Sequence, residues 1–204
     1  MLKKEKSNKK TTKNNRKIIF FATGNIHKFN EAREVLSKFN ISVCMLKIKE
    51  NEIQSNSLIE IAKHSAIEAF KKYNIPILVE DAGLFIESLH GFPGPYAAYV
   101  YKTIGNNGII KIMERIKNRA AVFRSSIAFC YSNKKEPELF EGEIFGTIAL
   151  KTTESMNSTG FGFDPIFRPK ENLRVFSLMT IAEKNLFSHR AVAFRKFARW
   201  YLNQ

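Results

Sequence analysis

Lys17-Ile18-Ile19-Phe20-Phe21-Ala22-Thr23-Gly24-Asn25-Ile26-His27-Lys28 is the stretch that decides the fold. Its apolar run from Lys17 to Thr23, closed by Gly24, reads as a buried strand. Asn25 follows as a cap for a helix running to Asn40, with Ala32, Val35, Leu36 and Phe39 on one face. Working outward, Ile41–Ile48 reads as a second strand, and Ser57 opens a second helix with Leu58, Ile61, Ala62, Ser65, Ala66, Ala69 and Phe70 at helical spacing. Pro76 precedes a further buried strand, Ile77–Val79, expected to end at the acids Glu80 and Asp81. Gly91-Phe92-Pro93-Gly94-Pro95 is dense in turn formers and reads as an ordered loop. A helix is expected over Asn106–Lys117, then two β-rich stretches, Ala120–Ser132 and Leu139–Lys151, a Gly-rich loop at Ser158–Gly162, and a last helix from Ser188 to about Leu202. Strands and helices alternate early and strands pair later, so the class is mixed α/β, with a central mixed sheet and flanking helices.

The 204 residues suit one domain or two lobes sharing a core, and 44% hydrophobic content excludes a wholly disordered chain. The net charge of +14 suggests an anionic partner, yet half of it sits in Met1–Lys17, where eight basic residues face the single acid Glu5. Residues 1–16 read as a solvated tail and 17–204 as the folded domain, because the tail holds too little apolar surface to offset its ordering entropy. The tail is neither a secretory signal nor an amphipathic Arg-rich presequence, and no apolar run reaches the length of a membrane span. Cys44 and Cys130 lie in apolar runs without paired metal-site spacing and are expected as reduced core residues of a soluble, cytoplasmic protein.

Four segments could carry chemistry. At Thr23–Lys28 a strand turns through a glycine into a helix N-terminus, with Lys28 in the first turn. That arrangement suits phosphate, though an ordinary capped turn looks the same. Glu80 and Asp81, with Glu52 upstream, would gather carboxylates at neighbouring strand ends. Mg²⁺ would neutralise such a group, and solvated acids are the plainer reading. Gly160-Phe161-Gly162-Phe163-Asp164-Pro165 could stack a flat ring on its aromatics while Asp164 accepts from ring N–H groups, or it could simply pack the core. In Lys184–Arg190, Ser188 caps the last helix and leaves His189 and Arg190 in its first turn. A cation there opposes the helix dipole and calls for an anion or a keto oxygen nearby.

Taken in order, Thr23–Lys28, Glu80-Asp81-Ala82-Gly83-Leu84, Gly91–Tyr96, Gly160–Phe167 and Ala182–Arg190 resemble the inosine triphosphate pyrophosphatase family, hydrolases of non-standard purine nucleoside triphosphates. The likeness runs from about Lys17 to the C-terminus. It implies Mg²⁺-dependent hydrolysis of ITP, dITP and XTP to the monophosphate and pyrophosphate, by a two-lobed homodimer with its nucleotide in the cleft. Carried over position by position, Thr23, Gly24, Asn25 and Lys28 would hold phosphates, Glu52 and Asp81 would bind metal with Glu80 beside them, and Asp81 would act as general base. Phe161 and Phe163, around Gly162, would sandwich the base, and Asp164, Lys184, His189 and Arg190 would read it. Ala82 stands where the family has Ser or Thr. The family's active-site lysine on the second helix is missing near Ser65, with Lys63 as the nearest replacement. The alternative from another class is a nucleic-acid-binding protein working through the basic tail, and the acidic cluster argues against it.

Overall fold

The first strand and helix form where their residue pattern places them, and the computed structural model describes residues 17–48, 53–153 and 160–204. Strand β1 is Lys17–Ala22, helix α1 is Ile26–Ser37, and strand β2 is Ile41–Leu46. Asn25 caps α1, its side-chain oxygen accepting from the amides of His27 and Lys28 at 2.9 and 3.2 Å. Helix α2, Leu58–Tyr73, is capped by Ser57 and leads to β3, Ile77–Ile86. Strands β1, β2 and β3 are parallel, joined by helical crossovers.

The remaining strands are antiparallel. Strand β5, Ala120–Cys130, pairs with β3 over its whole length and with β6, Glu138–Ile148, on its other side. Short strands β4, Pro93–Gly94, and β7, Phe167–Pro169, flank β3 and β6, so the sheet order is β2-β1-β3-β5-β6-β7 with β4 beside β3. Helix α4, Gly105–Ile112, stands where a helix over Asn106–Lys117 was expected, and a further helix, α3, Ala97–Thr103, precedes it. Gly105, at φ +64°, starts α4 earlier, and α4 stops at Ile112. Helix α5 is the single turn Ile181–Lys184 and α6 is His189–Leu202, capped by Ser188.

Side-chain alternation along the strands divides the core by face. Ile19, Phe21, Leu78, Ile127 and Phe129 pack against α1 and α6. Ala22, Ile77, Val79, Ala128 and Cys130 pack against α2 on the other face. The far halves of the long strands serve a separate core of Leu84, Ile86, Phe123, Phe163, Phe167 and Phe176. Cys130 is buried as expected, but Cys44 is exposed, because β2 is the edge strand. Among the described residues no helix is long and apolar enough to cross a membrane.

Two details position the site. The strand carrying Glu80 and Asp81 does not end there, as the sequence led one to expect, but runs on to Ile86 because β5 pairs with it throughout. Its other neighbour does end. β1 pairs β3 only through Ala22–Val79, and β4 takes over at Leu84. Glu80 to Gly83 therefore border a notch in the sheet, directly beyond the Thr23–Gly24 turn. Helix α6, on the same face as α1, meets the sheet at Gly142 of β6, where an added Cβ would strike the backbone of His189 and Ala193.

Candidate active site

Lys28 reaches into the notch from the first turn of α1. Its ammonium donates to the Glu80 carbonyl at 3.2 Å and stands 3.1 Å from Glu80 Oε2 and 3.9 Å from Asp81 Oδ1. The Asp81 side chain is 19% exposed, whereas that of Glu80 is fully covered. The α1 amides of His27 and Lys28 are turned to the Asn25 side chain, and the Asn25 amide donates to Thr23 Oγ at 3.1 Å. What this turn offers an anion is therefore chiefly the Lys28 charge, the exposed Gly24 backbone and the helix dipole.

Behind Glu80 lies a buried chain of ion pairs. Arg190, at the start of α6, donates through Nε to Glu80 Oε1 at 3.0 Å and through Nη1 to Glu31 Oε2 at 2.6 Å. Ser125 of β5 donates to the same Glu80 oxygen at 2.6 Å. Lys184 joins Glu31 Oε1, at 2.8 Å, to Asp164 Oδ2, at 2.6 Å, and the Phe161 amide also donates to Asp164 Oδ2, at 3.0 Å. Burial alone would protonate Glu31, but Lys184 and Arg190 more than offset it and hold the carboxyl at about 2. Burial likewise raises Glu80, and Arg190 and then Lys28 outweigh it, so its pKa falls below the usual range. In Asp164 burial wins and the pKa rises. Burial, then Arg190 and Lys184, drives His189 well below its ordinary 6.5, so its imidazole is neutral.

The anion demanded by a cation at the start of α6 is thus supplied by the chain itself, as Glu31 and Glu80. His189 lies flat on Phe123, centroids 4.7 Å apart, with Nδ1 buried and unpartnered among the described residues. Phe161 is half-buried, with Lys184 Nζ and Arg190 Cζ 5.1 and 5.4 Å from its ring centre. Phe163 does not share that position. Gly162, at φ +60°, reverses the chain, and the Phe163 ring is 3% exposed in the far core, edge-on to Tyr101. Ala82 follows Asp81 on β3, half-buried beside the notch.

Glu52, residues 1–16 and Ser158 lie outside the described residues. Lys63 does not replace the missing helix lysine, since it pairs with Glu136 in the β5–β6 turn, and Ser65 is buried. Glu31, the buried partner of both Lys184 and Arg190, is the site residue that the sequence reading missed. It lies one helical turn after Lys28, where an acid ordinarily faces solvent. Among the described residues no three His, Cys, Asp or Glu side chains form a metal cage. Mg²⁺ needs only one or two carboxylates beside substrate phosphates, and Asp81, partly open at the notch, fits that requirement where the enclosed Glu80 does not.

A lysine beside a carboxylate at a notch in a mixed α/β sheet, just past the end of β1, is an arrangement suited to a phosphate-bearing ligand. The model of the Ham1 family matches residues 19–200, and the chain belongs to that family. It is 45% identical over 185 residues to the dITP/XTP pyrophosphatase of Methanopyrus kandleri, covering 91% of this chain and 96% of that one. Against the dITP/XTP pyrophosphatase of Hyperthermus butylicus identity is 44%, over 90% and 94% of the two chains. A HAM1 protein from Coxiella burnetii superposes with a TM-score of 0.78 at 26% identity, over 92% of this chain and all of that one.

Proposed function

We propose that the chain hydrolyses the deaminated purine nucleoside triphosphates ITP, dITP and XTP to the monophosphate and pyrophosphate, with Mg²⁺. The observation that carries this reading is the notch itself. Lys28 stands 3.9 Å from Asp81, whose carboxylate keeps a small opening to solvent, and the Phe161 ring is anchored to the ion-pair chain behind the adjoining Glu80. A polyphosphate laid along the Thr23–Lys28 turn meets the Lys28 ammonium, and its α-phosphorus falls to a water held by Asp81, which accepts the proton as the P–O bond to pyrophosphate breaks. Mg²⁺ would be held by Asp81, with Glu52 as the second carboxylate that the family resemblance implies, and would supply charge neutralisation of the polyphosphate.

Selectivity follows from the polar groups around Phe161. Hypoxanthine and xanthine carry a keto oxygen at position 6 and a ring N–H, which suit the donors of Lys184, His189 and Arg190 and the acceptor Asp164. Adenine sets its amino group against those donors, and each unpaired buried group costs on the order of 1–3 kcal/mol. We also infer a cytoplasmic homodimer. Phe92, Tyr96 and Tyr99, 41%, 42% and 70% exposed, are large apolar side chains close together in sequence around the start of α3, of the kind subunits cover.

The test is product release from ITP, XTP, ATP and GTP side by side, with Mg²⁺ and with EDTA. Pyrophosphate and monophosphate from ITP and XTP alone, lost in EDTA, is the expected result. Inorganic phosphate as the first product, or equal turnover of ATP, would contradict the reading.

A further inference from the structure

Phe161 offers a base one aromatic wall, and Phe163, sunk in the far core, cannot offer the second. Another ring already occupies that place. The imidazole of His27 lies on Phe161 with centroids 5.0 Å apart and planes 15° from parallel. We propose that His27 is the second wall of the base site, and that the purine enters between the two rings. The inference rests on the nucleotide reading above and assigns the position of the base within it.

The two walls differ in how far they can move. Phe161 is held from behind, its amide bonded to Asp164 and its ring beside the buried Lys184 and Arg190. His27 is exposed, and its backbone is fixed separately by the Asn25 cap. A rotation about its own side-chain bonds moves the imidazole without disturbing α1. A stacked base takes up about 3.4 Å on each side, so the rings must part from 5.0 Å to about 7 Å. That is a rotamer adjustment of one exposed side chain. The location also joins the two halves of the substrate. His27 immediately precedes Lys28, the phosphate-side cation, so the residue that covers the base and the one that meets the phosphates share one helical turn.

The test compares wild type, His27→Ala and His27→Phe in the full chain, reading KM and kcat for ITP and inhibition by tripolyphosphate, which has no base. Loss of the wall should raise KM for ITP about five- to tenfold in His27→Ala with kcat within about twofold, the size expected for one stacking contact. His27→Phe should restore the wild-type KM, and the inhibition constant of tripolyphosphate should stay the same in all three. An unchanged KM in His27→Ala, or a lower one, overturns the proposal, the latter making His27 a cover that the base displaces. A matching loss of tripolyphosphate affinity also overturns it, because the effect then lies on the phosphate side. If wild type releases no pyrophosphate from ITP, the functional reading fails instead, so the two failures are distinct.

Discussion

Arg190 Nη1 stands 2.6 Å from Glu31 Oε2, and both side chains are 3% exposed. This pair ties the first helix to the last across the face of β3, with Glu80 as the second partner of the same guanidinium. The Phe161 loop and the first turn of α1 are thereby fixed relative to each other. Lys184 and Asp164 hang from Glu31, and Lys28 stands on Glu80.

Glu31→Gln keeps the shape and removes the charge, leaving Lys184 and Arg190 facing an amide. Breaking one partner of a buried pair costs about 3–5 kcal/mol. Chemical denaturation should show a loss of that order, together with a raised KM for ITP as the Phe161 support loosens. A stability within 1 kcal/mol of wild type would mean that the network is not holding the helices.

Stability should fall in acid in two steps. His189 has a folded pKa below its unfolded 6.5, so the unfolded chain binds the proton first and stability declines as pH drops below 6.5. Glu31, depressed from 4.5 to about 2, contributes stability that is complete above 4.5 and is lost as pH falls toward 2. The second step amounts to about 3 kcal/mol. Denaturation midpoints from pH 8 to 2 measure both, and His189→Phe should remove the first step while leaving the second.

Gly142→Ala places a methyl group where β6 touches the His189 carbonyl and the Ala193 amide. Helix α6 must then move outward, carrying His189 and Arg190. Overpacking of this kind costs roughly 1–3 kcal/mol. A lowered melting temperature with a lowered kcat/KM for ITP is expected. An unaltered kcat/KM would show that the start of α6 does not need this close approach.

Much of this arrangement is legible in the residues alone. The apolar run at Lys17 with Asn25 after it, and Ser57 and Ser188 as caps, are local signals, and local hydrogen bonds produce them in the fold. What was not legible depends on neighbours. Glu80-Asp81-Ala82-Gly83 looks like a strand end because acids and a glycine rarely sit inside a sheet. Here β5 carries the strand onward, and Gly83 is required because a Cβ would meet the Gly94 carbonyl. Glu31 resembles a solvent-facing acid of an amphipathic helix until α5 and α6 are laid against it. Phe161 and Phe163 look equivalent at i and i+2 around a glycine, and only the left-handed turn at Gly162 sends one to the notch and the other to the core. Cys44 sits in an apolar run whose strand turns out to be an edge.

In the proposed reaction Asp81, in the notch beside Lys28, activates the water that displaces pyrophosphate. The most direct measurement is kcat for ITP in wild type and Asp81→Asn under saturating Mg²⁺, with melting temperature measured alongside. A fall of about 10²–10⁴ in kcat is predicted, with little change in melting temperature because Asn keeps the shape of a side chain that is still 19% exposed. Turnover of Asp81→Asn at the wild-type rate would contradict the account.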